Sequence, residues 1–154
     1  MPFGLRPDPI MSAYRRLLAG LEQVFFGGME LAALSTPAFV AVLVLQQRYP
    51  DASALAGLTA IAAGSVTLAV LRAGTVDTGA WPRRSELSSL PLRVGYFSVV
   101  FLAATIGVAA LAVSLGSMWL TLFGGVVQAL GLAAFPAAYA RVHGDPLKKP
   151  AQRV

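Results

Sequence analysis

Cysteine is missing from this sequence of 154 residues, and histidine occurs once, at His143. Without cysteine the chain can form no disulfide, thiolate metal site or cysteine nucleophile. The single histidine follows the last long apolar stretch, which excludes a bis-histidine haem held between helices of this chain. Both lysines, Lys148 and Lys149, lie near the carboxyl end, so no lysine is available for a Schiff base inside an apolar segment.

Charged residues are also scarce: they make up 12% of the chain, against roughly 25% in soluble domains. Hydrophobic residues make up 56%, and a chain of this size lacks the bulk to bury so much apolar helix in water. No spacing of His, Asp and Glu resembles a metal site, and no glycine-rich loop follows a strand. The net charge of +5 is not arranged as a basic stripe with interleaved aromatics, so nucleic acid is not an expected partner. We therefore predict an integral membrane protein with no catalytic residue, cofactor or metal.

The longest charge-free stretch runs from Val94 to Ala140, 47 residues without Asp, Glu, Lys, Arg or His. As a helix it would be roughly 70 Å long, about twice the hydrocarbon core of a bilayer. The turn-like dipeptide Gly116-Ser117 lies near its middle, so we predict two spans, 94–115 and 118–140, joined by a tight hairpin. A transmembrane barrel is excluded in practice, because its strands would alternate polar and apolar residues.

Two further spans are predicted at about 24–45 and 52–71. Within the first, Ser35-Thr36-Pro37 predicts a kink, because the proline removes a backbone hydrogen bond and the hydroxyls can satisfy the freed groups. Upstream, residues 12–25 carry apolar side chains at helical spacing and a basic polar face, which is typical of an amphipathic helix lying in the headgroup region. Gly27-Gly28 offers a place to bend. The alternative is that this segment simply extends the first span into water.

Together these elements predict an all-α integral membrane protein: a four-helix transmembrane bundle preceded by an amphipathic interfacial helix. Residues 1–27 would form the cytoplasmic amino-terminal segment, residues 28–143 the transmembrane domain and residues 144–154 a flexible basic tail. With four spans, eleven of the twelve basic residues share one side of the membrane, and only Arg48 lies on the other. By the positive-inside rule, both termini are cytoplasmic.

Small residues recur at helical spacing on three of the spans, where they would let neighbouring helices approach closely. The predicted packing residues are Gly57, Ala60, Gly64, Ala103, Gly107, Ala110, Gly124, Gly125 and Gly131. A bulky substitution such as Gly64→Leu or Gly107→Leu is therefore expected to force helices apart.

Two polar residues fall within the predicted spans. Gln128, near the middle of the fourth span, is expected to bond across to another helix through its amide, with a pathway or ligand contact as the alternative. Glu30 lies about 9 Å deep if the first span begins at Val24, where a carboxylate must pair or face a wet cavity. If that span begins at Met29, Glu30 lies at the headgroup boundary and reaches water.

Anionic lipid headgroups are the predicted partners of the residues near the span ends. These contacts are predicted for Arg15, Arg16, Trp81, Arg83, Arg84, Lys148 and Lys149. The tryptophan and its neighbouring cations suit the aromatic belt and the lipid phosphates. An equally simple interpretation is a solvated loop with a structural tryptophan.

Three functions compete. A non-catalytic structural, accessory or assembly subunit, packing against itself or against other membrane subunits, fits the small-residue faces and the shortage of polar groups. A small oligomeric transporter or channel would use Glu30 as an intramembrane carboxylate. A lipid-directed enzyme would need Asp77 or Glu86, whose spacing does not favour it. Under the first interpretation Glu30→Gln should be tolerated, because the amide keeps the size of the side chain and one acceptor.

Overall fold

The computed structural model describes residues 9–74, 76, 81 and 86–143. These residues form helices and no strand, and four of the helices are long and apolar enough to cross a membrane. The helices are α1 (Pro9–Leu34), α2 (Thr36–Leu45), α3 (Pro50–Arg72), α4 (Leu90–Ser114) and α5 (Met118–His143). The all-helical fold predicted from the missing charges is thus observed in the described part of the chain.

The break between α1 and α2 lies at Ser35, within the triplet where the sequence predicts a kink. Pro37 has no N–H to donate to the carbonyl of Ala33. The Thr36 hydroxyl takes that role, donating to the carbonyl oxygens of Ala33 at 2.9 Å and Ala32 at 3.0 Å. The kink therefore leaves few backbone acceptors unsatisfied, as an apolar environment requires.

Helix α1 continues without a break through Gly27-Gly28, so a separate helix ending at these glycines is not observed. The interfacial position of residues 12–25 stays a prediction. Both glycines instead allow α1 to approach α3 closely. A Cβ at Gly27 would lie 2.7 Å from the backbone oxygen of Ser65, and one at Gly28 would lie 3.0 Å from its Oγ. Helix contact at this distance requires residues without a Cβ, so the glycine pair serves close packing and not bending.

Helix α3 lies at the centre of the bundle, packed against α1, α4 and α5. The core nearest the carboxyl end of α3 is built from large side chains: Leu31, Leu34, Leu68, Leu71, Phe97, Leu132 and Phe135. A second buried group is smaller and brings the backbones closer together: Ala38, Ala60, Phe101 and Ala104. Bulky packing at one end and small residues at the other allow the helices to cross at an angle.

The predicted hairpin between α4 and α5 is observed, and it is closed by a Schellman turn. Gly116 has a φ of 64°, the left-handed conformation that glycine adopts without strain. Its N–H donates to the carbonyl of Val113 at 3.1 Å, and the N–H of Ser117 donates to the carbonyl of Ala112 at 3.0 Å. In the middle of α4, Ala103–Gly107 form a short π-helical segment.

Candidate functional site

The most unusual site in the bundle is a charged cluster at the carboxyl end of α3. Glu30 of α1 accepts hydrogen bonds through Oε1 from Arg72, the last residue of α3, and from Nη2 of Arg93 in α4, the latter at 2.6 Å. All three side chains are withdrawn from solvent: their exposed fractions are 7% for Glu30, 3% for Arg93 and 15% for Arg72. One carboxylate thus ties together three helices that are far apart in sequence.

The sequence indicates Glu30 as a candidate site but does not predict its contacts with Arg72 and Arg93. The signal was present, since Arg72 and Arg93 border the loop that shares a side of the bundle with the start of the first span. From the sequence, the two arginines indicate only the orientation of the chain in the membrane. Of the two interpretations of Glu30, the one in which it pairs matches the geometry, because a buried carboxylate is costly unless it is paired and hydrogen-bonded.

Aromatic side chains continue the cluster towards α5. The Arg72 guanidinium lies over the ring of Trp81, 4.9 Å from its centroid, as in a cation–π pair. Trp81 also contacts Phe135 of α5, with ring centroids 5.4 Å apart. A second contact is made by Glu86, whose Oε1 accepts a hydrogen bond from the Tyr139 hydroxyl at 2.8 Å. Trp81 and Glu86, which lie between α3 and α4 in sequence, therefore both contact α5.

Two cavities flank the Glu30 carboxylate, and Phe26 borders both. One, of about 290 Å³, lies between α1 and the end of α3 and is lined by Gln23, Phe26, Ala69, Arg72 and Ala73. The other, of about 310 Å³, lies between α1 and α4 and is lined by Phe26, Met29, Glu30, Ala33, Leu34, Leu90 and Arg93. Each cavity has a guanidinium in its wall together with apolar side chains.

Gln128 is fully buried in α5 at the crossing with α3, yet its amide makes no hydrogen bond with any described residue. The predicted bond across to another helix is therefore absent there. Its side chain instead covers Gly64, where an added Cβ would lie 2.9 Å from Gln128 Cγ. An unbonded amide in an apolar core costs stability, so Gln128 fills space and does not join the helices through hydrogen bonds.

The predicted packing residues of α3 and α5 lie where helices meet. Added Cβ atoms would lie 2.7 Å from Leu31 at Gly64, 2.6 Å from a carbonyl oxygen of α3 at Gly124 and 3.1 Å from α3 atoms at Gly125. Gly131 lies against Val100 of α4 too closely for a Cβ. Gly57 faces Thr105 at 3.4 Å, and Ala60 is fully buried. These small residues occupy the α3–α5, α3–α4, α1–α3 and α4–α5 crossings.

Helix α4 presents a different face from the predicted one. Ala103 and Gly107 are exposed, Ala110 is half-buried, and a Cβ at Gly107 would meet no atom within 4 Å. The small residues that pack inward are Ala104, Ala109 and Ala112. The predicted and the observed small residues each have the spacing of one helix face. The observed face is the one that packs inward because it also carries the buried rings of Phe97 and Phe101. The expectation that Gly107→Leu forces helices of this chain apart is accordingly wrong.

The predicted lipid-contact residues are divided. Arg15 and Arg16 are exposed on the amino-terminal part of α1, while Trp81 is half-buried against Arg72 and Phe135. Arg83, Arg84, Lys148 and Lys149 lie outside the described residues, as do residues 1–8 and the tail from residue 144.

In the described part of the chain no group of three or more His, Asp and Glu side chains could hold a metal ion. A family model described as Domain of unknown function (DUF8215) matches residues 15–142. None of the curated proteins matches the chain, and no solved structure does. The matched range includes the charged cluster, both cavities, α3 and α4, and most of α1 and α5.

Proposed function

Because the chain belongs to the DUF8215 family, whose description states no activity, we propose a function from its own geometry: a non-catalytic membrane subunit. It acts as a structural, accessory or assembly component of a membrane complex or of a homo-oligomer. It is a multi-pass integral protein of the cell membrane with both termini in the cytoplasm, and Arg15 and Arg16 lie near anionic headgroups. The distribution of basic residues supports this orientation.

One observation carries the proposal: in the described part of the chain, nearly all side chains of the first part of α1 are exposed. Gln23 and Phe26 lie level with Arg72, where α3 ends, so residues 9–22 extend about 21 Å past α3. Large apolar side chains cover one side of this extension and are exposed, among them Leu17 at 61% and Leu21 at 57%. An exposed apolar helix face of this length is typical of a surface that another helix covers.

The charged cluster supports a subunit over the transporter alternative. A carboxylate that carries protons must gain and lose its charge during the cycle. Glu30 accepts hydrogen bonds from two guanidinium groups and so joins α1 to α3 and α4. A group with this structural task is poorly suited to a transport cycle in which its charge disappears.

The partner surface can be tested with matched substitutions on the extension of α1. Leu17→Glu and Leu21→Glu place a charge on the apolar side, whereas Ala19→Glu places the same charge on the polar side, beside Arg15. We expect the first two variants to lose the stoichiometric partner, or the self-association, seen on purification in mild detergent. Ala19→Glu should retain it. Equal behaviour of all three would contradict the proposal, as would ion or drug flux through liposomes that hold this protein alone.

Orientation can be tested separately, because a chain without cysteine accepts single reporter cysteines. Asp51→Cys and Ser117→Cys should react with an impermeant maleimide from outside the cell. Gln152→Cys should react only after the membrane is opened. Labelling of all three from one side would refute the four-span arrangement.

A further inference from the structure

We propose that the partner of the α1 extension is a second copy of this chain, and that the two extensions pair in parallel along one apolar seam. This inference deepens the proposed function and rests on it, since it names the occupant of the surface proposed there. The seam consists of five large apolar side chains that are exposed in the described part of the chain: Met11, Tyr14, Leu18, Leu21 and Phe25.

The spacing of the seam is that of a two-stranded coiled coil. Met11, Leu18 and Phe25 recur every seven residues, and Tyr14 and Leu21 each follow three residues after a member of that series. This alternation keeps one narrow apolar face towards a partner helix, whose side chains enter the holes between them. Because α1 is continuous from Pro9 to Leu34, the five side chains lie along about 21 Å of one helix.

The height of the seam above the bilayer favours a second copy as its occupant. Helix α3, from Pro50 to Arg72, is about 34 Å long, close to the thickness of the hydrocarbon core, so its end lies at the headgroups in the proposed orientation. The α1 extension continues past this level into the cytoplasm. A second copy in the same membrane presents the same apolar face at the same height. A two-fold axis along the membrane normal makes the two extensions parallel.

The charges beside the seam are compatible with the pairing of identical parallel helices. Arg15 and Glu22 border the seam on one side, and Ile10 and Leu17 border it on the other. In a parallel pair each border faces the opposite border of the partner helix. Arg15 therefore lies near Ile10 of the second copy, where its methylenes extend the apolar contact. Glu22 lies near Leu17 of the second copy, so neither charge meets a like charge.

The paired face continues from the extension into the bundle. Met29 and Ala32 are exposed on the same side of α1, and Ala32 follows Phe25 by seven residues. Glu30 lies on another side of the helix, where it contacts Arg72 and Arg93. Two copies can therefore pair along α1 while the charged cluster of each copy stays intact.

The test uses single reporter cysteines in the full chain, which has none of its own. Leu18→Cys and Leu21→Cys place a thiol on the seam, and Ala19→Cys places one on the polar side as the matched control. Each variant is reconstituted at low density in liposomes of phosphatidylglycerol and phosphatidylcholine, oxidised with copper phenanthroline and analysed on a non-reducing gel. We expect both seam variants to form the cross-linked dimer at least about fivefold faster than Ala19→Cys, because a disulfide requires Cα atoms within about 7 Å.

Three outcomes would overturn the proposal. Equal rates for the three variants would mean that the dimers arise from random collisions. Cross-linking of one seam variant without the other would indicate antiparallel helices, since only a parallel pair brings every seam position next to its own copy. If neither seam variant cross-links and both are shielded from an impermeant maleimide that labels Ala19→Cys, the face lies on lipid.

This inference and the proposed function can fail separately. If the seam variants do not cross-link while Leu17→Glu and Leu21→Glu lose a different stoichiometric protein, the subunit function stands and the second copy is wrong. If both seam variants cross-link and the paired protein alone conducts ions in liposomes, the pairing stands and the subunit function is wrong.

Discussion

Substitution of Glu30 by glutamine should destabilise the protein strongly, because it leaves two guanidinium groups without their shared carboxylate. This replaces the tolerance expected from the sequence, which did not include these two ion pairs. Removing one member of a buried ion pair costs about 3–5 kcal/mol. Arg93, with 3% of its side chain exposed, cannot turn to water, whereas Arg72, at 15%, recovers part of its solvation. A loss of this size corresponds to a fall of about 10 °C in Tm for a chain of this length.

The assay is thermal unfolding of the detergent-solubilised chain, followed by the fraction that stays monodisperse. Glu22→Gln is the matched control, since it makes the same change on the exposed part of the same helix. A surface substitution of this kind should change the free energy of unfolding by less than about 0.5 kcal/mol. If Glu30→Gln also stays within about 1 kcal/mol of the wild type, the cluster does not hold the helices together and the reasoning fails.

A double-mutant cycle identifies the interaction responsible. Arg93→Gln should be destabilising by itself, since it removes the 2.6 Å hydrogen bond from Arg93 to the buried Glu30 carboxylate. Combined with Glu30→Gln, it should cost less than the sum of the two single changes. The expected coupling is about 0.5–3 kcal/mol, as for residues in one buried network. Additive effects would mean that the 2.6 Å contact contributes nothing of its own.

Three further predictions, two of them with a matched control, follow from the packing. Gly64→Leu should prevent a stable bundle, because a Cβ there already lies 2.7 Å from a neighbouring side chain, whereas Gly107→Leu should leave Tm unchanged. Gly27→Ala should destabilise the bundle by forcing a Cβ to within 2.7 Å of a backbone oxygen, while Gly20→Ala, which meets no atom within 4 Å, should stabilise the helix by about 0.5–1 kcal/mol. Gln128→Met should raise Tm, since it removes a buried amide that makes no hydrogen bond with the described residues.

The helices and the hairpin could be predicted because their signals are local. The length of the charge-free run determines the length of apolar helix, and Gly116-Ser117 marks where the chain can turn. Ser35-Thr36-Pro37 marks the kink for the same reason, since the proline and its preceding hydroxyl act within one turn of helix. In each case the residues that carry the signal also make the structural contact.

The charged cluster could not be predicted in this way, because its members are 42 and 63 positions apart. Only the relative rotation of three helices brings Arg72 and Arg93 to one carboxylate. The packing face of α4 differs from the predicted one for another reason: the sequence contains two faces of small residues, and the buried one also carries Phe97 and Phe101 of the same helix. The sequence predicts a bend at Gly27-Gly28, because it does not show that the backbone and side chain of Ser65, on another helix, lie against these two glycines.

The cluster gives the bundle a rotational preference that apolar packing alone cannot give. Lipid is as apolar as the helix surfaces, so leucines and valines facing it provide little reason for one rotation of α1 over another. Close approach at Gly27 limits where α1 can cross α3 but tolerates some turning about its own axis. Glu30 removes that freedom, because its carboxylate reaches both arginines from one orientation of α1. The same orientation directs Leu17 and Leu21 away from the cluster, so the surface proposed for a partner is set by a contact on the opposite side of the helix.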